Sequence, residues 1–286
     1  MDVRTALGAA VSRLAKAGVP EPRADAEVLL ARALGTDRAG LVVRGRDPLP
    51  HDASAVFEAL LVRRTGREPV SYLTGEREFW SLPVHVDRRV LIPRPETELL
   101  VETAVAVAPS ARRVLDAGTG SGALAAALAR ELPAATVWAS DRERAALEVA
   151  RDNLARLAPA VGLVRADWLA AFRSEAFDLV VANPPYVRTM ELPDLEPEVR
   201  EHEPRSALVA GEDGLDAVRS LVAQAPRVVA PGGWILLEIG RGQATAVLHE
   251  FAVRDVFCRT VVRRDAAGIE RVVGAQRPAT GGGQQA

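Results

Sequence analysis

The chain has 286 residues, 48% hydrophobic and 26% charged, with a formal net charge of −2 at pH 7. This is the composition of an ordinary globular protein with room for two domains, and it lacks the basic excess of a chain built to grip a phosphate backbone. No apolar run approaches the roughly 18 residues of a membrane span.

The first ten residues carry no secretory signal. A single cysteine, Cys258, excludes a disulfide framework and a cysteine-based zinc site. His51, His85, His202 and His249 show no metal-ligand spacing, so no metal is expected, and the expected compartment is a reducing cytoplasm.

Residues 1–75 read as a helical bundle. Leu7, Val11 and Leu14 share one helical face, as do Val28, Leu29, Ala33 and Leu34 in the next segment. Gly18, Pro20 and Pro22 separate the two, and Thr36-Asp37 caps a short third helix. A fourth helix is predicted from about Asp52 to Arg64, with Val56, Phe57, Leu60 and Leu61 inward. From Phe79 to Val90 the period shifts toward two, at Phe79, Leu82, Val84 and Val86 around Pro83, which predicts a β-hairpin linker over residues 76–95.

From 96 to 277 strand and helix alternate. Strands are predicted at 112–116, 136–140, 162–165, 178–182, 234–239, 256–262 and 269–274, and helices at 122–131, 144–157, 215–229 and 243–251. Such alternation indicates a mostly parallel sheet covered on both faces, here closing on a terminal hairpin. Residues 278–286 are rich in Gly and Gln and predict a disordered tail.

Two motifs carry chemistry. Val114-Leu115-Asp116-Ala117-Gly118-Thr119-Gly120-Ser121-Gly122 is a buried strand running through a glycine turn into a helix, where backbone N–H groups can meet a ligand. The loop alone does not separate a dinucleotide from S-adenosylmethionine. Asp141, after the second strand, suits a pair of ribose hydroxyls, and Asp167-Trp168, after the third, suits an adenine ring.

The second motif, Asn183-Pro184-Pro185-Tyr186, ends the fourth strand. Asn183 Oδ1 and the Pro184 carbonyl can each accept one N–H of a planar –NH2 group, and Tyr186 can pack on it. A delocalised amide nitrogen is a poor nucleophile, so orientation and electrostatic stabilisation matter more than a strong base. Asn183, Pro184 and Tyr186 are the candidate catalytic residues, with Pro185 completing the substrate set. Glu96, Glu98 and Glu238 are neighbours without an assigned role.

These residues resemble those of the bacterial peptide chain release factor N(5)-glutamine methyltransferases. The resemblance extends through Leu91-Ile-Pro-Arg-Pro-Glu-Thr-Glu98, Glu203-Pro-Arg-Ser-Ala-Leu208, Gly211-Glu-Asp-Gly-Leu215, Gly233-Trp-Ile-Leu-Leu-Glu-Ile-Gly240 with Gln243, and Arg264-Asp265, Gly268 and Arg271. It implies an α/β fold: a seven-stranded Rossmann-like class I methyltransferase sheet with an N-terminal helical bundle and a β-hairpin linker. It further implies that S-adenosylmethionine, leaving as S-adenosylhomocysteine, methylates the glutamine of a Gly-Gly-Gln loop in class I release factors, with no membrane and no direct nucleic-acid partner. Gly118, Thr119, Gly120, Ser121, Gly122, Asp141, Asp167, Trp168 and Asn183 would hold the donor, and the bundle would dock the release factor. Glu143 stands where serine is frequent in the family, and Ser81 where glycine is common.

An N(6)-adenine nucleic-acid methyltransferase is the main alternative, because the same tetrapeptide handles an exocyclic amine; the net charge speaks against it. A nicotinamide oxidoreductase leaves Asn183–Tyr186 unexplained, whereas a non-catalytic adaptor that binds release factors and senses the donor is separated only by an activity assay, because nothing in the site looks disabled. Gly282-Gly283-Gln284 in the tail copies the target triplet and reads as a low-complexity coincidence.

Overall fold

A computed structural model describes residues 1–279. Residues 280–286, including Gly282-Gly283-Gln284 and most of the predicted tail, lie outside the described residues. The chain divides into two units: Met1–Glu76 with Leu195–His202, and Arg77–Asp194 with Glu203 onward.

The first unit is built from α1 (Val3–Lys16), α2 (Pro22–Leu34), α3 (Arg38–Val43), α4 (His51–Thr65) and α5 (Val70–Thr74). Local chemistry sets the boundaries. Asp2 accepts from Thr5 N–H at 2.7 Å and Asp37 from Gly40 N–H at 2.7 Å, each satisfying an orphan donor of a first turn. Pro22 opens α2, and Gly35 closes it in the left-handed region at φ 61°.

The core joins Val3, Ala6, Ala10 and Leu14 to Leu29, Leu30, Leu41, Phe57, Leu60, Leu61 and Leu73. On α1 the buried stripe is therefore Val3-Ala6-Ala10-Leu14, with Leu7 and Val11 at its edge. Alanines let the helices approach, so they occupy the seam that the larger residues were expected to fill. Val28 is likewise only partly buried, with Leu29 and Leu30 inward. Val56, expected inside, is 49% exposed; the inward stripe runs through Ala53, Phe57, Leu60, Leu61 and Arg64.

Arg64 ends that stripe as a buried cation. It donates to Asp25 at 2.7 Å and to Glu198 at 2.8 Å. Glu198 lies on α9 (Pro197–His202), in the segment that the unit draws from far along the chain, and it also accepts from Arg67 at 2.6 Å. Burial works against ionisation of Glu198, but Arg67 and Arg64 hold its carboxyl below the usual range.

The second unit opens on a hairpin of β1 (Glu76–Phe79) and β2 (Leu82–His85). Its two turn residues, Trp80 and Ser81, are both left-handed, at φ 53° and 57°. A two-residue turn of that hand favours glycine, the residue that the resemblance leads one to expect in place of Ser81.

The remaining elements are α6 (Glu98–Val107), β3 (Arg113–Ala117), α7 (Ala123–Glu131), β4 (Thr136–Asp141), α8 (Arg144–Leu157), β5 (Gly162–Arg165), β6 (Phe177–Ala182), α10 (Asp216–Val228), β7 (Val229–Glu238), α11 (Ala244–Ala252), β8 (Arg259–Arg264) and β9 (Glu270–Gln276). The seven-stranded sheet has the order β5-β4-β3-β6-β7-β9-β8. The first five strands are mutually parallel, and β9 runs antiparallel to both β7 and β8. The chain leaves β3 in one direction and returns on its other side as β6, so the topological switch falls between these strands. Ligands of open α/β sheets bind at their carboxyl ends there.

Two strand boundaries differ from the expected ones by three residues or more. β7 begins at Val229 because that residue already pairs with Phe177, before a register shift leads to Leu179 opposite Trp234. β8 starts at Arg259 rather than at 256. Asp255 is left-handed at φ 47°, and Phe257 is engaged edge-on with Phe251 at 5.0 Å instead of in a ladder.

Candidate active site

The glycine loop leaves β3 with Gly118, Gly120 and Gly122 all at positive φ (79°, 53° and 82°). The N–H groups of Gly118 and Thr119 donate to the Ser140 carbonyl at 2.8 Å, fixing the loop against the end of β4. Beneath it, Asp116 accepts from the Thr119 hydroxyl at 2.5 Å and from Ala125 N–H at 3.1 Å. Among the described residues no cation pairs with it, and burial pushes its carboxyl up to about 7.

Asp141 ends β4 and accepts from Gly120 N–H at 3.0 Å and Glu143 N–H at 2.9 Å. Burial raises its carboxyl too, against these two bonds. The nitrogen donors occupy one lone pair on each oxygen, so the carboxylate keeps acceptor capacity for further donors. Trp168, left-handed at φ 50°, lays its ring over Gly118, where a Cβ would stand 2.9 Å from the indole Cζ3. A side chain at 118 and the indole are mutually exclusive.

Asn183 emerges where β6 ends. Register places Val180 beside Leu115 of β3 and Ala182 beside Leu237 of β7, which brings the tetrapeptide level with the glycine loop. The Asn183 amide donates through Nδ2 to the Thr97 hydroxyl at 3.0 Å. Thr97 ends a single 3-10 turn, Pro95–Thr97, that leads into α6.

Gly118, Thr119, Gly120, Ser121, Asp141, Asp167, Trp168, Asn183 and Pro185 line one cavity of about 390 Å³. Gly122, Pro184 and Tyr186 do not. Gly122 packs on α8, where a Cβ would come within 3.2 Å of Leu154. Pro184 is buried. The Tyr186 ring lies on Gly240, where a Cβ would be 3.0 Å from its Cδ2, and its carbonyl accepts from Gln243 Nε2 at 3.1 Å.

Several residues without a predicted role complete the site. The cavity is also lined by Phe79, Thr97, Pro204, Ser206, Val209 and Gly211. The loop from 204 to 211 is tied to the chain just after Tyr186 by Val187 N–H to Leu208 O and Ala210 N–H to Val187 O, both at 2.9 Å. Glu203 anchors its start by accepting from Arg94 at 2.6 Å. The signal was present in the motif runs 91–98 and 203–208, whose side chains have no chemistry of their own to announce.

A family model for the PrmC N-terminal domain matches residues 5–75, and one for the methyltransferase small domain matches residues 95–195. The release factor glutamine methyltransferase of Geobacter sulfurreducens is 44% identical, covering 92% of each chain. That of Cereibacter sphaeroides is 47% identical, covering 98% of this chain and all of the relative. The chain belongs to the release factor glutamine methyltransferase family.

Solved structures carry the fold of this methyltransferase beyond its sequence relatives. The catalytic domain of hMettl16, in complex with MAT2A 3′UTR hairpin 6, superposes with a TM-score of 0.58 at 15% identity, covering 72% of this chain and 79% of that one. A methyltransferase from Pyrococcus furiosus gives 0.52 at 15%, covering 77% and 98%. The cavity fits the methyl donor on which such enzymes depend. Its volume lies within the roughly 300–1,000 Å³ of small-molecule sites. It also combines the flat indole, a turn of three left-handed glycines with no room for a side chain at Gly118, and a carboxylate with spare acceptors.

Proposed function

We propose that the protein methylates the side-chain amide nitrogen of the glutamine in the Gly-Gly-Gln loop of class I peptide chain release factors, in the bacterial cytoplasm. The observation that carries this reading is the Asn183 amide, anchored by Nδ2 on Thr97 and lining the same cavity as the glycine loop, Asp141 and Trp168. The relatives' shared name supports the choice of substrate.

S-adenosylmethionine, when bound, supplies an electrophilic methyl group. Asp141 would accept the ribose hydroxyls, Trp168 would stack on the adenine, and the N–H groups of the glycine loop would face the remaining polar atoms. Asn183 Oδ1 and the Pro184 carbonyl would each accept one N–H of the substrate amide, presenting the nitrogen to the methyl carbon. The N–C bond would form as the S–C bond breaks, the S–C electron pair staying on the sulfur of S-adenosylhomocysteine, and the nitrogen would release one proton to a water or protein acceptor. Both carbonyl oxygens oppose the positive charge that develops on nitrogen. Alignment of this quality is worth up to roughly 7–11 kcal/mol of barrier.

The test incubates methyl-labelled S-adenosylmethionine with purified release factor, and in parallel with DNA. Label on the loop glutamine is expected, with turnover reduced about 10²–10³-fold by Asn183→Ala and donor affinity little changed. Label on adenine instead would replace the reading with nucleic-acid methylation. Bound donor with no transfer to either would make the protein an adaptor.

A further inference from the structure

Asn183 is held from behind by two buried side chains. Its Nδ2 donates to Thr97 Oγ1, and the Glu238 carboxylate faces both Thr97 and Asn183. Thr97 is 5% exposed and Glu238 2%. They come from different elements: Thr97 from the turn before α6, Glu238 from the end of β7. Because Ala182 stands opposite Leu237, Asn183 and Glu238 are the next residues along two neighbouring parallel strands. Glu238 Oε2 has no hydrogen-bond partner among the described residues. A sealed carboxylate oxygen left unpaired is destabilising and gains nothing in packing.

We infer that Thr97 and Glu238 are positioning residues that turn both N–H bonds of the Asn183 amide away from the cavity, so that Oδ1 alone faces the substrate. The site then accepts an –NH2 group and rejects a group offering only acceptors, which separates glutamine from glutamate. This rests on the reading of Asn183 as the acceptor for the substrate amide.

The logic is one of donors and acceptors. An amide has two N–H donors on one arm and an acceptor on the other, and a half-turn exchanges them. A hydroxyl cannot choose between the arms, since it donates and accepts. An ionised carboxylate only accepts, so a flipped Asn183 would set oxygen against oxygen in a dry environment. With Thr97 Oγ1 accepting from Asn183, its own proton is free for Glu238. The polarity runs Asn183 to Thr97 to Glu238.

Ionisation of Glu238 therefore sets the orientation. Arg271 of β9 and Glu96 of the turn face it, together with Tyr186, which also faces Arg94. Burial lifts the Glu238 carboxyl to about 7, against the neighbouring Thr97 hydroxyl, the charge of Arg271 and the Asn183 amide. Once protonated it can donate to Oδ1, and the flipped amide is no longer penalised. Turnover falls on the acid side of neutrality.

The experiment uses the full chain with S-adenosylmethionine and purified release factor, beside a spectroscopic readout that needs neither. The side-chain NH2 resonance of Asn183 in nitrogen-15-labelled protein, identified by its loss in Asn183→Ala, is followed with pH. It is expected to titrate near neutrality in the parent and to stop titrating in Glu238→Gln. Glu238→Gln is expected to lower kcat at least about 10-fold with donor affinity unchanged and the acid limb of the pH profile removed. Thr97→Ser is expected to retain activity that Thr97→Val loses.

A parent resonance that ignores pH, or Glu238→Gln with parental turnover, overturns the inference. A titrating resonance together with full activity in Asn183→Ala overturns the substrate reading instead, and the selectivity argument with it. If Glu238→Gln does not fold, the parent titration and the Thr97 pair decide the matter.

Discussion

Arg64 in the helical unit and Asp116 beneath the glycine loop are about equally hidden, 4% and 1% exposed, yet they are satisfied in opposite ways. Arg64 has two carboxylates against it, Asp25 and Glu198, at 2.7 and 2.8 Å. Nearby, Glu68 is buried against a forked pair of bonds from Arg63, both 2.8 Å. Charge meets charge, and the result fixes helices and the returning segment in place. At the carboxyl ends of the parallel strands, Asp116 and Asp141 accept from a hydroxyl and backbone N–H groups, Glu238 faces Thr97 and Asn183, and burial raises all three. Carboxylates left poised in that way, two lining one cavity and the third beside its Asn183, mark where ligands are handled. The contrast separates ionic groups that stabilise a unit from those that serve a site.

The largest effect should come from breaking the paired side of the comparison. Arg64→Ala leaves Asp25 and Glu198 together without their shared cation. Removing one partner of a buried network costs about 3–5 kcal/mol. Hydrogen exchange over α2, α4 and α9 should rise accordingly while the sheet stays protected. A loss below about 1 kcal/mol would place this network with ordinary surface pairs.

The unpaired side predicts a pH dependence of the opposite kind. The Asp116 carboxyl rises from 3.8 unfolded to about 7 folded, so between these limits the native state binds more protons than the unfolded one. Stability therefore falls as pH rises through that window, and the loss is complete above about 7. The whole effect is about 4 kcal/mol. Asp116→Asn, which can still accept from Thr119 and Ala125, should flatten the decline in thermal melts of the ligand-free protein. A parent whose stability is level from about pH 5 to about 8 would show that Asp116 stays ionised.

The same contrast explains what was legible in the sequence. Periodicity exposed the alternating strands, and residues with strong backbone preferences or donor sets, such as Gly118, Asp141 and Asn183, marked the loops of the site. Arg64 was invisible as a buried cation, because its partner Glu198 lies 134 positions away and periodicity carries no information on pairs so remote. Val56 failed for a related reason: an apolar residue at the margin of a stripe goes in or out according to what packs there, and Phe57 took the place. Thr97 and Glu238 lie in motifs read as wholes, but a side chain that acts by orienting another has no signature of its own.

The smallest effect lies within the glycine loop and sharpens the comparison to single atoms. Gly118 and Gly120 are both left-handed, so alanine at either adds about 1–2 kcal/mol of backbone strain. They differ in their surroundings: a Cβ at Gly120 meets nothing within 4 Å, whereas one at Gly118 comes within 2.9 Å of the Trp168 ring. Gly118→Ala must therefore displace the indole as well as strain the turn. The two variants should melt within about 1 kcal/mol of each other, since the ring is half-buried and can swing. Calorimetric titration with S-adenosylmethionine should separate them, with Gly118→Ala binding at least about tenfold more weakly than Gly120→Ala, the equivalent of about 1.4 kcal/mol. Equal affinities would mean that the indole is not what the donor's flat ring rests on, and would return Trp168 to the hydrophobic core against which it also packs.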